Sequence, residues 1–262
     1  VSKSILPLFR LSIEREGTAP REVRFRYSKP APNIPVASSL QPASASVGVF
    51  RTARGRRTST RGRAVSVKIH VGEALETLRT LAKHPRIDAS KISVMGFSKG
   101  TVASIFSAST RFKDLYGSSA KFASHIGLYT PCNTRFIGDT TVTGSPMRLF
   151  HGISDDYVSV GPCRAFVQEL KSKGVDVSLT EFPNTQHGYD SPLAPEKLAV
   201  PSAQSTRHCQ FIEKSQGELF NAQSGAPFSY TDACVAVGAH VGHNPDSTTQ
   251  TVKSVIEFLK SL

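Results

Sequence analysis

Ile92-Ser93-Val94-Met95-Gly96-Phe97-Ser98-Lys99-Gly100 joins an apolar run to a small-residue stretch that starts at Thr101, a pattern that predicts a strand, a sharp turn and a helix. A serine hydroxyl is a poor nucleophile unless the backbone presents it beside a base. Gly96 and Gly100, two before and two after Ser98, are the small residues a strained turn of this kind needs. Ser98 is therefore the candidate nucleophile.

In sheets that carry such a turn, an acid and then a histidine follow the serine along the chain. Pro146 to Gly152 reads as a buried strand running into a turn, with Asp155 and Asp156 just beyond it. A second strand, Val177 to Phe182, runs into Pro183-Asn184-Thr185-Gln186-His187-Gly188, which places His187 on another loop beyond a strand end. Asp155 stands three residues after Gly152, with Val158 able to open the next buried stretch, and is favoured as the group that accepts the imidazole N–H. Asp156 is the reserve, read otherwise as a cap for a helix starting near Pro162 or as a solvated turn residue.

His84-Pro85-Arg86-Ile87-Asp88-Ala89-Ser90-Lys91-Ile92 leading into Val94 to Gly100, then His151-Gly152 with Asp155-Asp156, then His187-Gly188-Tyr189-Asp190, resemble the dienelactone hydrolase family of α/β hydrolases. The resemblance runs from about Val65 to Asp190. It implies an α/β-hydrolase fold, a mostly parallel central sheet with helices on both faces, and a hydrolase of esters or lactones that uses neither metal nor cofactor. Founding members carry a cysteine where this chain has Ser98, which points to a serine esterase branch. Ser98 would attack the carbonyl, His187 would take its proton, and the Lys99 backbone N–H would be one oxyanion donor. A second donor should come from a loop after an earlier strand, and no residue in the sequence marks it.

Residues 1–63 read differently from the rest. They hold 13 Lys and Arg against 3 Asp and Glu, a net of +10, whereas 64–262 hold the remaining 19 and 17, a net of +2. Ile34 to Phe50 is rich in Pro, Ala and Ser, and six arginines fall between Arg51 and Arg63. Ile5 to Ile13, Val23 to Tyr27 and Val47 to Phe50 are its plausible strands. Three readings compete: a divergent but folded start of the sheet, an altered or partly disordered segment, and a polyanion-binding arm. Nucleic acid is the minor reading, since no aromatic residue interleaves with Arg51 to Arg63.

Residues 64–262 are expected to form the catalytic domain, with helices at Glu73 to Lys83, Arg164 to Ser172 and Ser247 to Lys260 and a strand at His125 to Tyr129. The last helix should turn Val252, Val255, Ile256 and Leu259 to one face. Around 192–245 lies an insertion rich in Gly, Ser and Asn that a Cys209–Cys234 disulfide would close, stabilising by about 3 kcal/mol. Cys132 and Cys163 could also meet. Such pairs tilt the reading toward a periplasmic or secreted protein over a cytoplasmic one. No run of eighteen apolar residues spans a membrane, and Val1 to Arg10 has too short an apolar core for a secretion signal. No cysteine or histidine spacing suits a metal, so His151, His240 and His243 read as structural or solvated. For substrate contact the candidates are Phe97, Asn133, Arg135 and Tyr189; Arg135 could favour a carboxylate-bearing ester or instead pair with Asp139. The sequence thus points to a carboxylic ester or lactone hydrolase working through an acyl-enzyme. A peptidase or amidase on the same scaffold, and a catalytically impaired hydrolase-like binding protein, stand as alternatives.

Overall fold

The computed structural model describes residues 9–11, 25–27, 47–50 and 60–69 by their backbone, and residues 70–262, apart from 216, in full. The chain divides into two units, Val1–Ser44 and Ala45–Leu262. In the first, β1 (Phe9–Leu11) pairs antiparallel with β2 (Phe25–Tyr27), Phe9 opposite Tyr27. The remainder of the strand expected from Ile5 to Ile13 and the arginines from Arg51 to Arg57 lie outside the described residues.

The second unit is built on β3 (Val47–Phe50), α1 (Thr60–Leu81), β4 (Ser93–Phe97), α2 (Thr101–Phe106), α3 (Thr110–Leu115), β5 (Ser124–Leu128), β6 (Thr134–Arg135), β7 (Met147–Gly152), α4 (Gly161–Ser172) and β8 (Val177–Phe182). After these come β9 (Leu198–Ser205), β10 (Phe211–Ser215), β11 (Glu218–Asn221), β12 (Ala236–Val241) and α5 (Pro245–Lys260). The order β3-β4-β5-β7-β8 makes one sheet in which every neighbouring pair is parallel. Parallel neighbours need crossover connections; the crossover helices α1, α2 and α4 cover one face of the sheet and α5 the other. Alternation along the strands shows it. Val94 and Leu149 pack in one core with Leu75 and Leu78 of α1, Ile105 of α2 and Phe166 of α4. Their chain neighbours Met95 and Phe150 turn to the other core, with Val255 of α5. The fold is that of an α/β hydrolase, as the sequence motifs implied.

Element boundaries follow local chemistry. Helix α1 reaches back to Thr60, well before Glu73, and Val71 continues the buried stripe of Ala74, Leu75 and Leu78. Helix α4 starts three residues earlier than expected, with Pro162 in its first turn, and stops before Gly174 at φ +77°. Asn244 caps α5 by accepting the Ser247 N–H at 3.0 Å. The face of α5 differs from expectation: Ser247, Thr251 and Val255 are buried, whereas Val252 and Ile256 are 40% and 47% exposed. Polar partners across the interface turned the helix, since Ser247 Oγ meets Thr185 Oγ1 and Thr251 Oγ1 meets the Tyr189 hydroxyl, each at 2.8 Å.

The stretch around 192–245, expected as a disulfide-closed insertion, contains four strands. β9 and β12 pair antiparallel, and β10 joins antiparallel β11 to parallel β6. Glu213, its carboxylate wholly buried, ties this small sheet to α3 through Arg111 at 2.6 and 2.9 Å and accepts the N–H of Ile137 and Gly217. Disulfides join Cys132 to Cys163 and Cys209 to Cys234. Among the described residues no helix is long and apolar enough to cross a membrane.

His125 sits at 0% exposure with Nδ1 donating to the Ser104 carbonyl at 2.6 Å, and burial pulls its pKa down to about 4. A folded pKa below the unfolded one leaves stability intact above about pH 6.5 and removes it as the pH falls toward 4. We expect His125 to account for a loss of about 3 kcal/mol over that interval. Urea unfolding of wild type and His125→Gln across pH 4 to 7 checks it, the variant lacking that part of the slope.

Candidate active site

Ser98 holds φ at +49°, a left-handed conformation that non-glycine residues seldom adopt. The turn closes because Gly96 lacks a side chain: a Cβ there would lie 2.4 Å from the Gly100 carbonyl oxygen. Thr101 Oγ1 donates to the Ser98 carbonyl at 2.5 Å and braces the start of α2. The Lys99 side chain is exposed, and its residue follows the serine directly on this turn.

Ser98 Oγ lies 2.8 Å from His187 Nε2, and His187 Nδ1 lies 2.8 Å from Asp155 Oδ2. An ionised carboxylate only accepts, so Nδ1 carries the proton and Nε2 accepts from the serine hydroxyl. The imidazole is 6% exposed and lies between the edges of Tyr129 and Tyr157, with centroids 4.6 and 5.0 Å away. Its loop is anchored on two sides. Gly242 N–H donates to the His187 carbonyl at 3.0 Å, and Gly152 lets the loop pass so close that a Cβ would stand 2.1 Å from the Thr185 carbonyl oxygen.

Asp155 is buried, and its Oδ1 accepts the backbone N–H of Tyr157 at 2.9 Å and of Val158 at 2.8 Å. His151 Nε2 donates to the Val158 carbonyl at 2.9 Å and stands 3.4 Å from Asp155 Oδ2. Burial opposes ionisation of Asp155, but the charge of His187 and the hydrogen bonds of His151 and His187 outweigh it. They hold the carboxyl well below the usual carboxylate range. Asp156 points elsewhere: it accepts from the His240 backbone N–H and from His240 Nδ1, both at 2.7 Å. It is neither a helix cap nor a purely solvated residue, since it ties the acid loop to β12.

Ser98 opens on a cleft of about 210 Å³. One wall is apolar, with Val102, Phe106 and Phe136. Tyr157, Gln204 of β9 and Tyr230 also line the cleft. Phe97, Asn133, Arg135 and Tyr189 do not line this cleft. Phe97 packs beneath the turn with Met95, while Tyr189 is buried with its hydroxyl on Thr251. Asn133 donates to the carbonyls of Thr206 and Cys209, and Arg135 pairs with Asp139 and Glu169. Sequence reasoning missed His151 and Tyr157. The signal for His151 was its i,i+4 spacing from Asp155; for Tyr157 there was none. Among the described residues no group of three His, Cys, Asp or Glu could hold a metal ion.

A parallel sheet whose second strand ends in a serine at positive φ, with an imidazole and a carboxylate delivered from neighbouring strand ends, defines an α/β hydrolase. Over residues 57–193, just more than half of its 262, the chain matches the phospholipase/carboxylesterase family, and it belongs to that family. No curated protein matches the chain. Similar solved structures include an esterase from Thermogutta terrifontis, 20% identical over 48% of this chain and 56% of that one, with a TM-score of 0.39. A dienelactone hydrolase-like promiscuous phosphotriesterase from metagenomic libraries is 15% identical over 77% and 65%, with a TM-score of 0.48. An acetyl ester-xyloside bifunctional hydrolase from Caldicellulosiruptor lactoaceticus is 22% identical over 46% and 56%, with a TM-score of 0.36. The chain thus spans between 56% and 65% of the length of these three.

Gly152→Ala should force the Thr185 carbonyl, and with it the His187 loop, away from β7. Because the obstructing atom is backbone, a loss of about 3 kcal/mol is expected, read by thermal unfolding against wild type.

Proposed function

We propose that this protein hydrolyses short carboxylic esters or lactones through an acyl-enzyme on Ser98. The observation that carries the reading is the unbroken line of two 2.8 Å contacts from Ser98 Oγ through the imidazole to the buried Asp155. Ser98 Oγ bonds to the carbonyl carbon as His187 Nε2 takes the hydroxyl proton, and the C–O bond of the alcohol breaks as that proton passes to the leaving oxygen. Water then attacks the acyl-enzyme, giving its proton to His187, and Ser98 is restored with release of the acid. Asp155 keeps the ring in the accepting tautomer and balances the imidazolium charge. Lys99 contributes its backbone N–H to the oxyanion. The loop after β3, residues 51–59, is where a second donor belongs in this fold, and it lies outside the described residues.

A cleft of about 210 Å³ with Val102, Phe106 and Phe136 on one wall suits a short acyl chain. Two disulfides fit an oxidising compartment, and we assign the protein to the periplasm or the exterior.

Hydrolysis of p-nitrophenyl esters from acetate to octanoate tests the reading. Turnover should fall by about 10⁴-fold or more in Ser98→Ala, and kcat/KM should drop at least about tenfold from butyrate to octanoate. Equal turnover by wild type and Ser98→Ala would sink the proposal. His151 provides a second check. Its Nε2, 3.4 Å from Asp155 Oδ2, helps to hold that carboxyl low, so His151→Phe should leave Asp155 a stronger acceptor and move the acid limb of kcat/KM to higher pH, whereas His151→Gln, which keeps a polar donor, should move it less.

A further inference from the structure

Tyr230 is 39% exposed, yet its ring is braced from below. It meets Phe228 edge-on at 5.1 Å, Phe228 meets Phe211 at 4.6 Å, and both phenylalanines are buried in a small core beside the Cys209–Cys234 disulfide. A large aromatic held rigid with one face in water has lost its rotamer freedom already, which is what a binding platform needs. Tyr157 faces the same cleft and is equally fixed: its ring lies on His187, its N–H is on Asp155, and its carbonyl accepts the Ser205 hydroxyl at 2.8 Å. Burial and then the neighbouring Tyr230 push the Tyr157 phenol up, as expected for two hydroxyls sharing one space.

The chemistry assigns the sides of the cleft. His187 hands its proton to the leaving oxygen, so the alcohol departs on the side of His187, whose ring Tyr157 touches, and the acyl chain is left the apolar lining of Val102, Phe106 and Phe136. We propose that Tyr157 and Tyr230 form a subsite for the alcohol portion of the ester, and that this alcohol carries a flat aromatic ring. Aromatic pairs add about 0.5–1.5 kcal/mol each beyond area burial, so two rigid tyrosines discriminate a flat ring from a puckered one of the same size. Tyr157 lies within the part of the chain that matches the family, and Tyr230 lies beyond it. The proposal rests on the Ser98–His187–Asp155 reading given above.

Benzyl acetate and cyclohexylmethyl acetate share an acyl group and have alcohols of similar size and acidity, differing in the flatness of the ring. Wild type should favour the benzyl ester by about tenfold in kcat/KM, Tyr230→Ala should bring the ratio near one, and Tyr230→Phe should keep most of it. The same preference should appear as tighter calorimetric binding of the benzyl ester to Ser98→Ala, which needs no turnover. A wild-type ratio near one, or a preference that survives Tyr230→Ala, overturns the subsite. If hydrolysis does not depend on Ser98, the catalytic reading fails, while the binding comparison still supports or overturns the subsite by itself.

Discussion

The left-handed turn at Ser98 is the constraint on which the rest depends. A non-glycine residue at φ +49° costs of order 1–3 kcal/mol and persists only when its surroundings over-determine it. Here the surroundings are β4, paired on both sides by β3 and β5, and the approach of the Gly100 carbonyl into the space where a Gly96 side chain would be. Loosen either and the hydroxyl swings away from the imidazole. The strain is local, and the sheet bears it.

The parallel sheet also explains how three groups far apart in sequence converge. Parallel strands end on one edge, so the turns after β4, β7 and β8 open into one region. That brings Ser98, Asp155 and His187 near one another without fixing their geometry to tenths of an ångström. The final placement comes from smaller contacts: Thr185 lodged against Gly152, two backbone N–H groups on Asp155 Oδ1, and His187 between two tyrosine rings. His151 fastens the acid loop through the Val158 carbonyl and stands 3.4 Å from the same carboxylate oxygen that meets His187.

The strands from Leu198 to Val241 are more than a decoration on this scaffold. Asp156 grips His240, Arg207 reaches the carbonyls of Asp156 and Gly238, and Ser205 binds the Tyr157 carbonyl, so these strands are stitched to the residues beside Asp155. The Arg111–Glu213 pair, its carboxylate buried and its guanidinium part-exposed, holds their other end. Residues after 193, outside the stretch that matches the family, thereby supply part of the cleft lining.

Short-range chemistry made much of this legible in the sequence. The spacing of Gly96, Ser98 and Gly100, the apolar runs into Gly152 and Phe182, and the order of serine, acid and histidine depend on local backbone sterics and strand burial, which a few consecutive residues determine. What lay beyond reach depends on partners distant in the chain. Helix α5 buries Ser247 and Thr251 in place of Val252 and Ile256 because Thr185 and Tyr189 offer hydroxyls there. Asn133 and Arg135 look like site residues by position, yet carbonyls and carboxylates of other segments occupy them. Tyr157, beside the acid, and Tyr230, from between the two cysteines of the Cys209–Cys234 disulfide, meet at the cleft only in the folded chain. The sequence by itself determined the class of sheet and the candidates for chemistry, because steric and hydrophobic periodicity act locally. Only the tertiary structure decided which polar side chains face the cleft, because hydrogen-bond satisfaction in a buried interior is settled by whichever groups the fold brings alongside.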